Sequence, residues 1–424
     1  MHSAGVKALL SEPSWWQTRD WRRAVPPAAL PTASDLVVIG GGITGLSAAL
    51  TALDQGYSVT LLERAELGSG ATGRNSGFVV PIPGRHTPAS LQQRLGVQAQ
   101  PYIAALAHSA EALLAFPHAQ GQTSGWVLPY GKAARSGVMA AARDWTAWGI
   151  HADVLEREQL PDYLGTNQYH CAINFRQGGQ LNPLALVQSM GEVCRSKGGM
   201  VIECCPALAF TRTSAGYRVQ TPQGEIAAGR LLVAGNAYGH GPCKAQRPSG
   251  AGMVLMLGVF DLPPEAAAHC LPRGIPFSDA HKDMWFFRRL DGSRLMTGLF
   301  ALPWQSSAAD SERMLRKRIL TAFGTEAGAL LQLWGGRIGL THHALPHLCC
   351  PNDSLAYWTG CNGRGLALSH ALGSMLAQRL LQGRALDLPL SSPWPLPAGA
   401  AMRWLAQTLV VRDRRRRTRL LLKP

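Results

Sequence analysis

Three glycines and one acid carry the first recognisable chemistry of this chain. Gly40, Gly42 and Gly45 form Gly-x-Gly-x-x-Gly, and Glu63 follows roughly 20 residues on. In such a pattern the first glycine permits a tight turn, the second lets backbone amides approach a pyrophosphate, and the third lets a helix pack closely. A carboxylate at the position of Glu63 accepts both ribose hydroxyls of an adenosine and repels a 2′-phosphate. Residues 68–77 then read Gly-Ser-Gly-Ala-Thr-Gly-Arg-Asn-Ser-Gly. Four glycines with hydroxyls, an amide and an arginine make a backbone that can approach a flat polar ligand while offering donors to its phosphates and ring.

The elements that must position these groups follow from the residues between them. Residues 36–39 are apolar without alternation, as a parallel strand buried on both faces requires. Residues 44–55 read as a helix whose N-terminus would hold the phosphates, with Gly56 ending it. Residues 58–62 form the second strand and deliver Glu63 to its carboxyl end. Taken alone, this set allows either NAD or FAD.

A chain of 424 residues exceeds the usual single core, so two domains are expected. Hydrophobic content of 46% with 16% charge describes a folded globular protein. The nine cysteines show no Cys-x-x-Cys pair, which argues against a disulfide framework or a zinc knuckle and for a reducing compartment. No signal-peptide pattern opens the chain, and no apolar run reaches the roughly 18 residues of a membrane span. The adjacent His342 and His343 would point apart on a strand, so a metal site is not expected.

Further along, helices are predicted over residues 97–116, 136–148, 183–197, 310–323 and 366–381. Pro183 is well placed for a first turn. Strand signals fall at 200–204, 207–211, 217–221, 230–233, 284–290, 294–299 and 355–359, with Asp291-Gly292 marking a hairpin. Nucleotide-binding and strand-rich segments therefore alternate. The expected fold is α/β: a discontinuous Rossmann-like domain over residues 35–90, 175–240 and 330–390, and a mixed or antiparallel-sheet substrate domain over 91–174 and 241–329. Residues 1–34, with Trp15, Trp16 and Trp21 among arginines and prolines, read as an arm packed on the body.

Residues 391–424 read as a basic tail. The net charge is +15, and from residue 403 onward eight Lys and Arg stand against Asp413. Three uses are open to it: a solvated charge block, which is the expected one, an interfacial segment on an anionic membrane, or a sequence-independent nucleic-acid contact. Nucleic acid is not the expected partner.

Several motifs in order, DLVVIGGGITGLSAAL, LLERAELGSGATGRNSG, GGQLNP, LLVAGNAY, WGGRIGLTHHALPHL and YWTGCNGRGLALSHALG, resemble the D-amino-acid-oxidase-like FAD-dependent oxidoreductases. The similarity is greatest to the branch containing gamma-glutamylputrescine oxidase. It implies non-covalent FAD and oxidation of a carbon–nitrogen bond in a small amine or amino acid. Gly40, Gly42 and Gly45 would hold the pyrophosphate and Glu63, with Arg64 beside it, the adenosine ribose. Ala71, Thr72, Arg74, Asn75 and Ser76 would approach the phosphates and flavin. Gly360, Gly363, Arg364 and Gly365 match the turn placed at the pyrimidine end of the ring. Arg337 aligns near the arginine that binds a substrate carboxylate in relatives, and it is the candidate anchor.

Two departures accompany the resemblance. Arg364 stands where relatives often carry His, and Ala367 where some carry the lysine that serves reaction with dioxygen. The acceptor is therefore dioxygen or a quinone. The expected location is the cytoplasm, with the tail as a candidate contact on the inner membrane face. Alternative readings are a flavin enzyme acting on a nucleic-acid-borne amine, and a flavin-binding protein without turnover.

Overall fold

In the computed structural model, residues 12–14, 16, 29–84, 86–238, 251–302, 307–390 and 399–421 are described. Most of the arm expected over residues 1–34 lies outside them, as do residues 391–398 and 422–424 of the tail.

Two eight-stranded sheets organise the rest. The first has the order His347–Asn352, Leu355–Thr359, Gly224–Val233, Ala33–Ile39, Val59–Leu62, Met200–Ile202, and its other two strands branch off, Gly216–Thr221 pairing with Gly224–Val233 and Ala209–Thr213 with Gly216–Thr221. Ala33–Ile39 pairs in parallel with Gly224–Val233 on one side and Val59–Leu62 on the other. Leu36, Val37 and Val38 are completely buried, which is why that run shows no alternation. Helices Ile43–Asp54 and Gly365–Gln382 cross closely at Gly373, where a Cβ would lie 2.4 Å from the Thr44 carbonyl oxygen. Ser47 Oγ donates to the His370 carbonyl at 2.7 Å in the same crossing. Pro183–Ser196 begins as read: the Asn182 side chain accepts from the Leu184 and Ala185 amides, both at 3.1 Å.

The second sheet runs Leu330–Leu340, Ala251–Asp261, Arg294–Phe300, Phe286–Arg289, Phe277–Ser278, Trp126–Tyr130, Cys171–Phe175, Ala152–Glu156. It is antiparallel except where Phe277 meets Val127. The hairpin at Asp291-Gly292 is present, with Gly292 at φ +49. Behind the sheet, Phe260, Phe287 and Leu299 form a second core with Leu315 and Ile319 of helix Ala308–Phe323.

Three expectations change. Leu330–Leu340, placed by sequence in the Rossmann-like domain, pairs with Ala251–Phe260 and is the edge strand of the second sheet. Gly335 and Gly336, whose doublet suggests a turn, lie inside that strand, and Gly336 passes beside Arg74, where a Cβ would make an ordinary contact with Arg74 Cβ at 3.4 Å. His342 and His343 occupy a turn rather than a strand, and their rings are 4.5 Å apart.

The tail changes most, because Gly399–Leu421 is a helix fastened to the second sheet. Arg414 donates to both oxygens of Asp283 at 2.9 and 2.8 Å, and Arg417 to Asp279 at 2.6 Å. Both carboxylates are buried, so these arginines answer charges that would otherwise be stranded. Long-range partners of this kind leave no local signal in the sequence, which is why a solvated block was the expectation.

Candidate active site

A cavity of about 490 Å³ lies where the two sheets meet. The first strand ends at Ile39, and Gly40 at φ +113 turns the chain out of it. Gly45 does not line the cavity: a Cβ there would lie 2.0 Å from the Gly40 carbonyl oxygen, so this glycine shapes the turn from behind. Gly42 lines the cavity and is the N-cap of Ile43–Asp54, with no side chain capping it. The Glu63 carboxylate lines the wall while accepting from the Gly41 amide at 2.7 Å and the Ala65 amide at 3.0 Å. Those two bonds fix its orientation and leave further lone pairs for a ligand.

A second helix opens on the same cavity. Gly365–Gln382 has Arg364 as N-cap, again without a side-chain cap, and Gly363, Gly365 and Leu366 line the wall. Gly360 lies behind it: at φ +92, its amide donates to Asn236 Oδ1 at 3.1 Å. Arg364 lines the cavity, stacks 4.7 Å over the Trp126 ring, and donates to the Pro83 carbonyl at 3.3 Å. Two helix N-termini with uncapped amides therefore face one cavity, which suits a ligand carrying negative charge at two places. A pyrophosphate and a reduced flavin ring are such a pair, so the residues present fit FAD.

The loop of residues 68–77 is held from outside. Gly73, Arg74, Asn75 and Ser76 are successive residues, and each carbonyl accepts from a side chain elsewhere in the chain. The donors are Ser14 Oγ at 2.7 Å, Trp334 Nε1 at 3.0 Å, Trp16 Nε1 at 3.1 Å and Arg288 at 2.8 Å. Arg74, read as a donor to phosphates, instead donates to the carbonyls of Ser69, Glu12 and Gly335 at 2.9, 2.9 and 3.1 Å. Burial lowers its pKa, and its role here is to brace the loop. Arg288 is buried, stacks 4.9 Å from Trp16, and is pushed down to about 9 by burial, still cationic at neutral pH. Gly77 has no alternative, since a Cβ would lie 2.1 Å from the Arg288 guanidinium.

The remaining wall comes from the second sheet. Leu255 and Leu257 share a face of one strand, and Met284, Phe286 and Arg337 join them. In the adjacent run the side chains alternate. Phe286 faces the cavity, while Trp285 stacks with Arg417 at 4.1 Å and Phe287 packs on Phe323 at 4.8 Å. Arg337 is half-buried, and its backbone amide donates to the Tyr238 hydroxyl at 3.0 Å. Tyr238 itself lines the cavity, with Arg64 5.9 Å above its ring. Of the residues singled out by sequence, Gly40, Gly42, Glu63, Arg64, Ala71, Thr72, Arg74, Asn75, Ser76, Arg337, Gly363, Arg364 and Gly365 line this one cavity.

Sequence reasoning missed the apolar wall and the outside braces. Residues 251–260 are apolar or glycine throughout, so no alternation in the sequence shows which face of the strand meets a ligand. Ser14 and Trp16 gave no signal beyond a packed arm.

A Rossmann-like sheet, two bare helix N-termini on one cavity and an adjoining antiparallel sheet define a dinucleotide-dependent oxidoreductase. The chain belongs to the FAD dependent oxidoreductase family, whose model matches residues 35–379. It is 25% identical over 383 residues to gamma-glutamylputrescine oxidoreductase of Escherichia coli (strain K12), covering 87% of this chain and 89% of that protein. It is also 25% identical to the probable oxidoreductase OrdL of Rhizobium meliloti (strain 1021), over 91% of this chain and 92% of that one. Among solved structures, glycine oxidase from Geobacillus kaustophilus superposes with a TM-score of 0.67 at 17% identity, over 86% of this chain and 99% of its own. That likeness confirms the fold expected from sequence.

Proposed function

We propose that this enzyme oxidises the carbon–nitrogen bond of a small amine or amino acid that carries a carboxylate. The observation that carries the reading is the convergence on one cavity of the Gly365–Gln382 N-terminus, an apolar wall and Arg337. When bound, FAD supplies a two-electron acceptor that takes hydride from the carbon beside an unprotonated amine, leaving an imine that water hydrolyses.

The protein's own residues bind, orient and exclude water. Gly42, Ile43 and Thr44 present bare amides to the pyrophosphate, and Glu63 takes the adenosine ribose. The amides of Gly365 and Leu366, with the Arg364 charge, favour negative charge on the reduced ring. Leu255, Leu257, Met284 and Phe286 dry the reacting face, and Arg337 fixes the substrate's carboxylate in a two-pronged contact. Cys361, the one cysteine among the described lining residues, directs its thiol 3.8 Å to the Gly339 carbonyl, which favours non-covalent FAD. Ala367 is buried and supplies no amine, so the reading keeps dioxygen and a quinone as acceptors.

One sequence relative and two proteins of the same fold frame the substrate panel: a gamma-glutamylputrescine oxidoreductase, a glycine oxidase and an L-proline dehydrogenase. The test is anaerobic mixing of the yellow protein with gamma-glutamyl polyamines, glycine, L-proline and N-methyl amino acids, D-amino acids and simple amines. The expected result is bleaching of the flavin by a carboxylate-bearing member. Bleaching by none of them, in protein that holds FAD, would falsify the reading. Acid precipitation should release the yellow colour into the supernatant.

A further inference from the structure

The C-terminal helix has two stripes of different use. Val410, Asp413, Arg414 and Arg417 recur at the spacing of one helical face, and that face is the fastened one. Val410 is buried, Asp413 accepts from the Asp283 amide at 2.9 Å and His281 at 3.3 Å, and the two arginines reach Asp283 and Asp279. Since Arg417 also stacks on Trp285 at 4.1 Å, the helix has little freedom to roll.

The opposite stripe is fixed outward by that clamp. Trp404 is 68% exposed, Leu405 53% and Leu409 37%, and Arg412, Arg415 and Arg416 continue the same side as exposed cations. Leu405, Leu409, Arg412 and Arg416 again follow helical spacing, so the apolar and basic parts form one continuous face. A folded monomer gains nothing by holding a tryptophan and two leucines in water.

We infer that this outer stripe docks the enzyme on an anionic membrane surface. The chemistry of the face matches the two layers of such a surface: guanidinium groups meet lipid phosphates, while Trp404, Leu405 and Leu409 enter the boundary with the acyl chains. Nucleic acid would answer the arginines but not the exposed leucines. A second copy of this chain would bring a molecule of net charge +15 against another, with no acidic residue on the stripe to meet the arginines. No helix among the described residues is long and apolar enough to cross a membrane, so the contact is peripheral.

The test is sedimentation of the full, FAD-loaded chain with vesicles of phosphatidylcholine alone or with roughly one-third phosphatidylglycerol. At low salt the bound fraction should be at least about tenfold greater on the anionic vesicles and should fall away near 0.5 M NaCl, as roughly a 4 Å screening length requires. Trp404→Ser with Leu405→Ser, and separately Arg412→Glu with Arg416→Glu, should each reduce binding about tenfold. Arg414 and Arg417 are untouched in both, so flavin content and the melting temperature should not move. Protein that stays in the supernatant with anionic vesicles overturns the inference, as does equal binding to neutral ones. RNA binding or self-association through this stripe, without vesicle binding, would also overturn it.

Discussion

The two sides of the cavity are built from different materials. On the nucleotide side the cavity is walled largely by backbone, from Gly40 to Thr44 and along the loop of residues 68–76, with the Glu63 carboxylate as the side chain among them, and Ser14, Trp16 and Trp334 hold the loop carbonyls from outside. On the second-sheet side it is walled by side chains, from Leu255 to Phe286 and Arg337, delivered by strands far apart in sequence. The difference separates what can vary. A backbone cradle recognises a constant group such as a pyrophosphate, whereas a side-chain wall can be rewritten for each substrate without disturbing the cradle.

Substitutions should obey that division, and the largest effect is expected under the wall. Asp283 is 1% exposed between Arg318 and Arg414, at 2.7 and 2.8 Å. Asp283→Asn leaves two guanidinium groups without their anion and should cost about 3–5 kcal/mol in urea unfolding. Burial pushes this carboxyl's pKa up, but Arg318 and Arg414 outweigh it and hold it below its usual value. Its contribution is therefore complete above the ordinary pKa of about 3.9 and is lost as the pH falls through the lower folded value. Wild type and variant should converge in acid, and a gap unchanged at low pH would refute the ion-pair account.

On the cradle side, Gly42→Val should leave the fold standing, since its Cβ meets nothing nearer than Thr72 Oγ1 at 3.2 Å. Filling that approach with a branched side chain should weaken FAD binding about 100-fold, roughly 3 kcal/mol of overpacking. Colourless, folded protein is the expected product, and full flavin occupancy would break the distinction between cradle and wall. A smaller effect is expected for Trp16→Phe. It keeps the aromatic body but removes the donor to the Asn75 carbonyl, a bond worth about 1 kcal/mol. The FAD release rate should rise about fivefold with KM unchanged.

The same contrast explains what could be read from the sequence. The strand, turn, helix and second strand of residues 33–63 were legible because each step is decided by neighbours: an unbroken apolar run, glycines at fixed offsets, an acid ending the second strand. Asn182-Pro183 and Asp291-Gly292 were legible for the same reason. Leu330–Leu340 was not, because the pairing that assigns it to the second sheet is with Ala251–Phe260, distant in sequence. Arg74 resembled a phosphate donor until three carbonyls claimed its guanidinium. The C-terminal arginines likewise found buried aspartates about 130 residues away, a partnership that charge counting could not reveal.

The central claim is that one cavity holds FAD against a substrate whose carboxylate is fixed by Arg337. It is tested most directly by anaerobic flavin reduction with an active amino-acid substrate and its neutral amide, in wild type and in Arg337→Gln. A lost two-pronged, charge-assisted contact of about 2–3 kcal/mol predicts that wild type requires roughly 30–100 times more amide than acid for half-maximal reduction. In Arg337→Gln, with FAD content unchanged, the two compounds should become nearly equivalent. A preference for the acid that survives the substitution would show that another residue anchors the carboxylate, and would contradict the account.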